Sequence, residues 1–130
     1  MNKTRSPIDK NIETAVHELL DSRAESRIYI FLLRKNGARS EEIIKGTKLH
    51  PSTVRELLSK MHSQKIIYRE KIKTDSIGKN PYMYCAVSPV LLLQRRVKII
   101  ESRLNTIAKL TGKTQKTPYV QIRIDQEEKT

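Results

Sequence analysis

From Ile8 the apolar residues fall at Ile12, Ala15, Val16, Leu19 and Leu20, the three-and-four spacing of a helix with one buried face. Asp21 and Ser22 interrupt it. Ser22 with Glu25 three residues later is the pattern of a capping box, so a second helix is expected to start there. It carries Ala24, Ile28, Phe31 and Leu32 on one stripe, flanked by Tyr29 and Leu33, and Asn36-Gly37 supplies its stop. Ser40 is the next expected N-cap, with Glu41 and Glu42 in the first turn, where the helix dipole favours acids. Ile43 and Ile44 are the apolar residues of this short helix, and Gly46 is expected to end or loosen it within two turns. Pro51 suits the first position of a further helix, because its missing N–H needs no partner there. Over that helix, 51–63, Val54, Leu57, Leu58 and Met61 recur at helical intervals.

Beyond Ser63 the period changes from helical to alternating. Residues 66–73 and 82–87 read as two strands, and the turn-forming stretch 74–81 between them makes them a hairpin. Ser88-Pro89 opens a long last helix that runs to about Thr111 and stops at Gly112. Within it Val90, Leu93, Val97, Ile100, Leu104 and Ile107 are spaced 3, 4, 3, 4, 3, a heptad seam that Leu92, Ile99 and Leu110 widen. One small domain does not easily cover so long a stripe, so a second copy of the same helix is the simplest partner. Folding back onto its own domain is the alternative. The expected organisation is a flexible basic arm at 1–7, a domain at 8–87, a dimerisation helix at 88–111 and a polar tail at 112–130. Alternation of Val120, Ile122 and Ile124 in the tail suits a short strand at 119–125, added to the sheet or paired with a partner.

Two short helices, a tight turn, a capped third helix and then a β-hairpin with a basic tip define the expected fold class. It is mainly α with a small β-hairpin: a winged helix-turn-helix plus a long C-terminal dimerisation helix. Charge sharpens the picture. The 130 residues carry 26 Lys and Arg against 14 Asp and Glu, a net charge of +12 that favours a polyanionic partner. Between Arg34 and Lys79 there are twelve basic and five acidic residues, so +7 of that surplus falls on the helix-turn-helix and hairpin. In such a fold the second helix of the pair enters the major groove of duplex DNA. With Val54, Leu57 and Met61 turned inward, the residues left to read bases or bond phosphate are Ser52, Thr53, Arg55, Glu56, Ser59 and Lys60. On the hairpin, Arg69, Lys71 and Lys73 alternate onto one face, and Lys79 and Asn80 lie at the tip, suited to a phosphate backbone or minor groove.

The quoted residues also carry a resemblance. Ser26-Arg27-Ile28-Tyr29-Ile30-Phe31-Leu32-Leu33, Ser40-Glu41-Glu42-Ile43, Ser52-Thr53-Val54-Arg55-Glu56-Leu57-Leu58, Lys65-Ile66-Ile67 and Tyr82-Met83-Tyr84-Cys85-Ala86-Val87-Ser88-Pro89 together resemble the winged helix-turn-helix of archaeal and bacterial transcriptional regulators of the TrmB-like and MarR-like groups. The resemblance spans 26–89. It implies binding of double-stranded DNA by the 51–63 helix and the wing, usually as a homodimer. TrmB-type regulators usually carry a large sugar-binding domain after the winged helix; the chain is too short for one, and carbohydrate sensing is not expected.

Other chemistries find little support. His17, His50 and His62 are far apart, without Cys or carboxylate at metal-ligand spacing, so neither a metal nor another cofactor is expected; His50 suits an N-cap or a phosphate contact. Gly112-Lys113-Thr114 lacks the earlier glycine of a phosphate loop, since Ile107 stands in its place. No nucleophile–base pairing stands out, and an enzyme is not expected. Cys85 is the one cysteine, read as a small buried hydrophobe, while Tyr82 and Tyr84 suit core packing more than base stacking. The longest apolar run, Val90 to Leu93, cannot span a bilayer, and the first residues lack the apolar stretch of a secretory signal, so an intracellular, nucleoid-associated protein is expected. The alternative functions are a winged-helix protein-interaction module of the transcription machinery and RNA binding. Operator, effector and direction of regulation are not encoded in these patterns.

Overall fold

The computed structural model describes residues 10–72, 81–112 and 119–125. The arm at 1–7, the wing tip with Lys73, Lys79 and Asn80, and most of the tail lie outside the described residues. The chain forms two units, 1–87 and 88–130.

In the first unit α1 (Lys10–His17), α2 (Arg23–Lys35), α3 (Ser40–Thr47) and α4 (Pro51–Ser63) precede a two-stranded sheet of β1 (Ile67–Lys71) and β2 (Tyr82–Ala86). Ser22 caps α2 by accepting from the Glu25 backbone N–H at 3.1 Å. The reciprocal half of the capping box is absent: the Glu25 carboxylate turns instead to the Ser22 hydroxyl and to Lys60. At the other end Asn36 adopts the left-handed conformation with φ 57°, and Gly37 follows at φ 109°, as a helix stop at these residues requires. A side chain at Gly37 would meet Cys85 Sγ at 3.1 Å as well as facing that unfavourable φ.

The single apolar stripe expected on α2 is too narrow a description. Ile28, Tyr29, Ile30 and Leu32 are all buried, with Glu25 and Ser26, because α2 packs against α1, α3, α4 and β2. Phe31, expected in the core, is half-buried. Its ring fills the space beside Gly46, where a Cβ would collide with Phe31 Cε1 and Cζ. Gly46 therefore does not end α3. It lies inside the helix and makes room for the ring, while Lys48, left-handed at φ 62°, closes the helix one residue after Thr47. The N-cap of α3 is likewise Arg39 and not Ser40, with the Arg39 N–H donating to Glu42 Oε1 at 2.9 Å.

The hairpin is antiparallel with Ile67 opposite Ala86 and Lys71 opposite Tyr82. Ala38 adds a single bridge to the far side of β2: its N–H donates to Tyr84 O at 2.9 Å, and Tyr84 N–H donates back at 2.8 Å. Cys85, expected to be buried, is half-buried opposite Tyr68.

The second unit is α5 (Pro89–Ala108) with a 3-10 turn over Lys109–Thr111, ending at Gly112 with φ 79°. Ser88 caps it by accepting from Val90 N–H at 3.2 Å. At about 1.5 Å per residue its twenty residues span roughly 30 Å. Residues 119–125 lie beside it as irregular chain, without strand pairing among the described residues. The Asn105 carboxamide takes over the role of a neighbouring strand. It accepts from Val120 N–H at 2.8 Å and donates to Val120 O at 3.0 Å, while Ile122 N–H donates to Glu101 Oε2 at 2.8 Å.

One interaction ties α2 to the chain end of the sheet. The buried Tyr29 hydroxyl donates to Val87 O at 2.6 Å, and desolvation pushes its pKa up from 10.0 to about 12. The folded chain therefore holds this proton more tightly than the unfolded one. The associated stability is complete below pH 10 and is lost as pH rises towards 12, on the order of 2 kcal/mol. Tyr29→Phe should lower stability by about 1–2 kcal/mol at pH 7 through the orphaned carbonyl. It should also flatten the decline between pH 10 and 12 relative to the parent, as thermal unfolding across pH will measure.

Candidate nucleic-acid interface

The boundaries expected for the 51–63 helix are those of α4. Pro51 occupies its first turn, and His50 caps it by accepting from Ser52 N–H through Nδ1 at 3.2 Å. The same Nδ1 lies 2.8 Å from Ser52 Oγ. Between α3 and α4 the chain spends only Lys48, Leu49 and His50. Thr47 tightens that turn, donating to Ile43 O at 2.7 Å and accepting from Leu49 N–H at 3.3 Å.

Val54, Leu58 and Met61 are buried and Leu57 half-buried, so the inner face of α4 is close to the expected one. Ser52, Arg55, Glu56 and Ser59 are exposed, and Thr53 is half-buried. Lys60 is exposed as well, but its ammonium is already engaged. It donates to Glu25 Oε2 at 3.0 Å and lies 3.3 Å from Asp21 Oδ2. Its pKa is raised, first by the hydrogen bond to Glu25 and then by that to Asp21.

On the hairpin, Arg69 and Lys71 are exposed at alternating positions of β1. The Arg69 guanidinium stacks over the Tyr82 ring at 4.4 Å, a cation–π contact that holds the side chain across the sheet face. Tyr84 packs beside Tyr82 with ring centroids 6.3 Å apart. The two tyrosines are half-buried, so their rings support the basic residues of the wing. The site residues that sequence patterns did not reveal are Asp21 and Glu25, the partners of Lys60. A Ser-to-Glu spacing of three signals a cap, and nothing local signals that the acid will be buried.

The heptad residues of α5 are largely unburied. Val90, Leu93, Leu104 and Ile107 are exposed, Val97 and Ile100 half-buried, and Leu92 is the one buried residue of the helix. Among the described residues no helix is long and apolar enough to cross a membrane, and no group of three His, Cys, Asp or Glu side chains could hold a metal ion.

The model of a known family, the sugar-specific transcriptional regulator TrmB, matches residues 22–90, just over half of the chain. The chain belongs to the TrmB family of transcriptional regulators. The matched TrmB stretch begins at the Ser22 cap and takes in α2, α3, α4, the hairpin and the start of α5. No curated protein sequence matches the chain. Among solved structures, a possible transcriptional regulator from Methanosarcina mazei is similar with a TM-score of 0.63 at 18% identity, over 86% of this chain and 93% of that one. At that identity the likeness establishes the fold. MepR, a transcription regulator of the Staphylococcus aureus multidrug efflux pump MepA, matches over 78% of this chain and 73% of its own at 16% identity. Its TM-score of 0.46 carries no further argument. The chain is thus a transcriptional regulator of winged-helix type, with the fold class expected from the sequence.

The His50 cap is the feature of α4 most exposed to a simple test. His50→Ala removes the acceptor for Ser52 N–H and should lower thermal stability by about 0.5–2 kcal/mol, whereas His50→Ser should retain most of it. Equal losses in both variants would deny the cap its role.

Proposed function

We propose that this TrmB-family chain binds double-stranded DNA sequence-specifically as a homodimer, with α4 in the major groove and the basic hairpin on the backbone or in the minor groove. The observation that carries this reading is the division of α4. A buried apolar face seats the helix, and Ser52, Arg55, Glu56 and Ser59 are exposed on the other side. These side chains match what base edges offer: arginine bonds guanine, glutamate accepts from cytosine, and serine hydroxyls suit bases or phosphates. The surplus of +7 between Arg34 and Lys79 supports it, since neutralising phosphates supplies most of the affinity of such proteins for any DNA.

Self-association rests on α5. A heptad seam with Ile107 61% exposed and Leu104 and Leu93 near 40% leaves apolar surface that a second α5 would cover. A two-fold dimer carries two recognition helices and calls for a palindromic operator with half-sites about one helical turn, roughly 34 Å, apart.

Two measurements test the reading. Selection from a random DNA pool should return a palindromic site, and Arg55→Ala should weaken binding to it by about 1–3 kcal/mol while random DNA is held nearly as before. Equal losses on both would reduce Arg55 to a phosphate contact. In the second, Ile100→Glu with Leu104→Glu places like charges in the seam. Light scattering should then report a monomer whose circular dichroism is unchanged and whose affinity for the full palindrome is largely lost, because the half-sites no longer share one binding event. A double variant that remains dimeric removes α5 from the interface.

A further inference from the structure

The Glu25 side chain is 1% exposed, among the most deeply buried charges in the described part of the chain. Its Oε2 accepts from the Ser22 hydroxyl at 3.2 Å and from Lys60 Nζ at 3.0 Å. Its Oε1 is buried without a hydrogen-bond partner. A carboxylate so placed is tolerated only while a cation compensates it, and removing one member of such a pair strands the other. The cation comes from α4, 35 residues along the chain, and Asp21 in the turn before α2 holds the same ammonium from a second side.

We infer that Lys60 is a positioning residue for the recognition helix and not one of its DNA contacts. The inference rests on the DNA-binding reading of α4. Turning Lys60 away from Glu25 towards a phosphate would leave Glu25 buried with no countercharge, and two of the ammonium's three donors are already directed at Glu25 and Asp21 as a clamp. The clamp also acts where it is needed. It joins the last third of α4 to the first turn of α2, while His50 holds the other end of α4. Rotation of α4 about its axis is thereby restrained, and with it the direction in which Arg55, Glu56 and Ser59 point. Packing of Val54, Leu58 and Met61 sets the same rotation less sharply, since apolar contacts are not directional.

The test compares the parent with Lys60→Met, Lys60→Arg, Glu25→Gln and the double variant Glu25→Gln/Lys60→Met, by thermal unfolding and by shift assays across salt. Lys60→Met should lower the Tm by on the order of 5–10 °C. The double variant should recover at least half of that loss, because no stranded charge remains. Lys60→Arg should stay near the parent in Tm and in DNA selectivity. On DNA the folded double variant should keep the parent's slope of log K against log salt, yet lose about tenfold of its preference for the selected site over random DNA. A parent-like Tm for Lys60→Met, together with a slope reduced by about 0.9, would identify a phosphate contact and overturn the inference. A double variant no more stable than Lys60→Met would overturn the clamp. If Lys60→Met fails to fold, the double variant and Lys60→Arg decide by the same criteria. If the parent shows no selective DNA binding, the DNA reading and the positioning role fall together. A non-additive thermal cycle would then still establish the clamp by itself, so the two failures are told apart.

Discussion

Burial of α2 on nearly every side is the constraint from which the rest of the first unit follows. Ile28, Tyr29, Ile30 and Leu32 cannot all reach water, so α1, α3, α4 and β2 must each cover a different face. That demand explains particulars that otherwise look unrelated. Gly46 lacks a side chain because the Phe31 ring occupies its place. The Tyr29 hydroxyl reaches the Val87 carbonyl because no solvent is available to it. The chain leaves α2 through left-handed Asn36 and Gly37, which brings Ala38 alongside β2 in a single isolated bridge.

The same constraint sets the electrostatics of α4. A residue near the inner edge of α4 is exposed to whatever the neighbouring helix has buried. Glu25 sits in the first turn of α2, where the helix dipole favours an acid, and Lys60 answers it. Arg55 lies on the exposed side, and Arg69 is held across the sheet by the Tyr82 ring. The basic residues therefore divide by what surrounds them: some are tied to the fold and others, such as Arg55, lie exposed at the surface.

In the second unit the balance runs the other way. α5 buries Leu92 and little else, and its seam residues remain accessible. Residues 119–125 are held by side chains of Asn105 and Glu101, which hydrogen-bond to the backbone of Val120 and Ile122. Val120 and Ile124 are half-buried, and Ile122, expected to share their face, is more exposed.

What the sequence by itself determined is local. Helix caps, left-handed stops and the change from helical to alternating period act over a few residues. Ser22, Asn36-Gly37, Pro51, Ser88 and Gly112 accordingly mark element ends to within a residue, and the order of elements defined the winged helix. Where two local signals conflicted, packing decided: Gly46 reads as a helix stop until Phe31 is known to lie against it. Charge was legible as a surplus and not as a set of partners. With 26 basic residues in the chain, no spacing rule selects Lys60 for a carboxylate 35 positions away. Only the tertiary structure decided that pairing, because the energy of a buried charge depends on which distant groups share its dry environment, and that is a property of the assembled helices and not of any window of sequence.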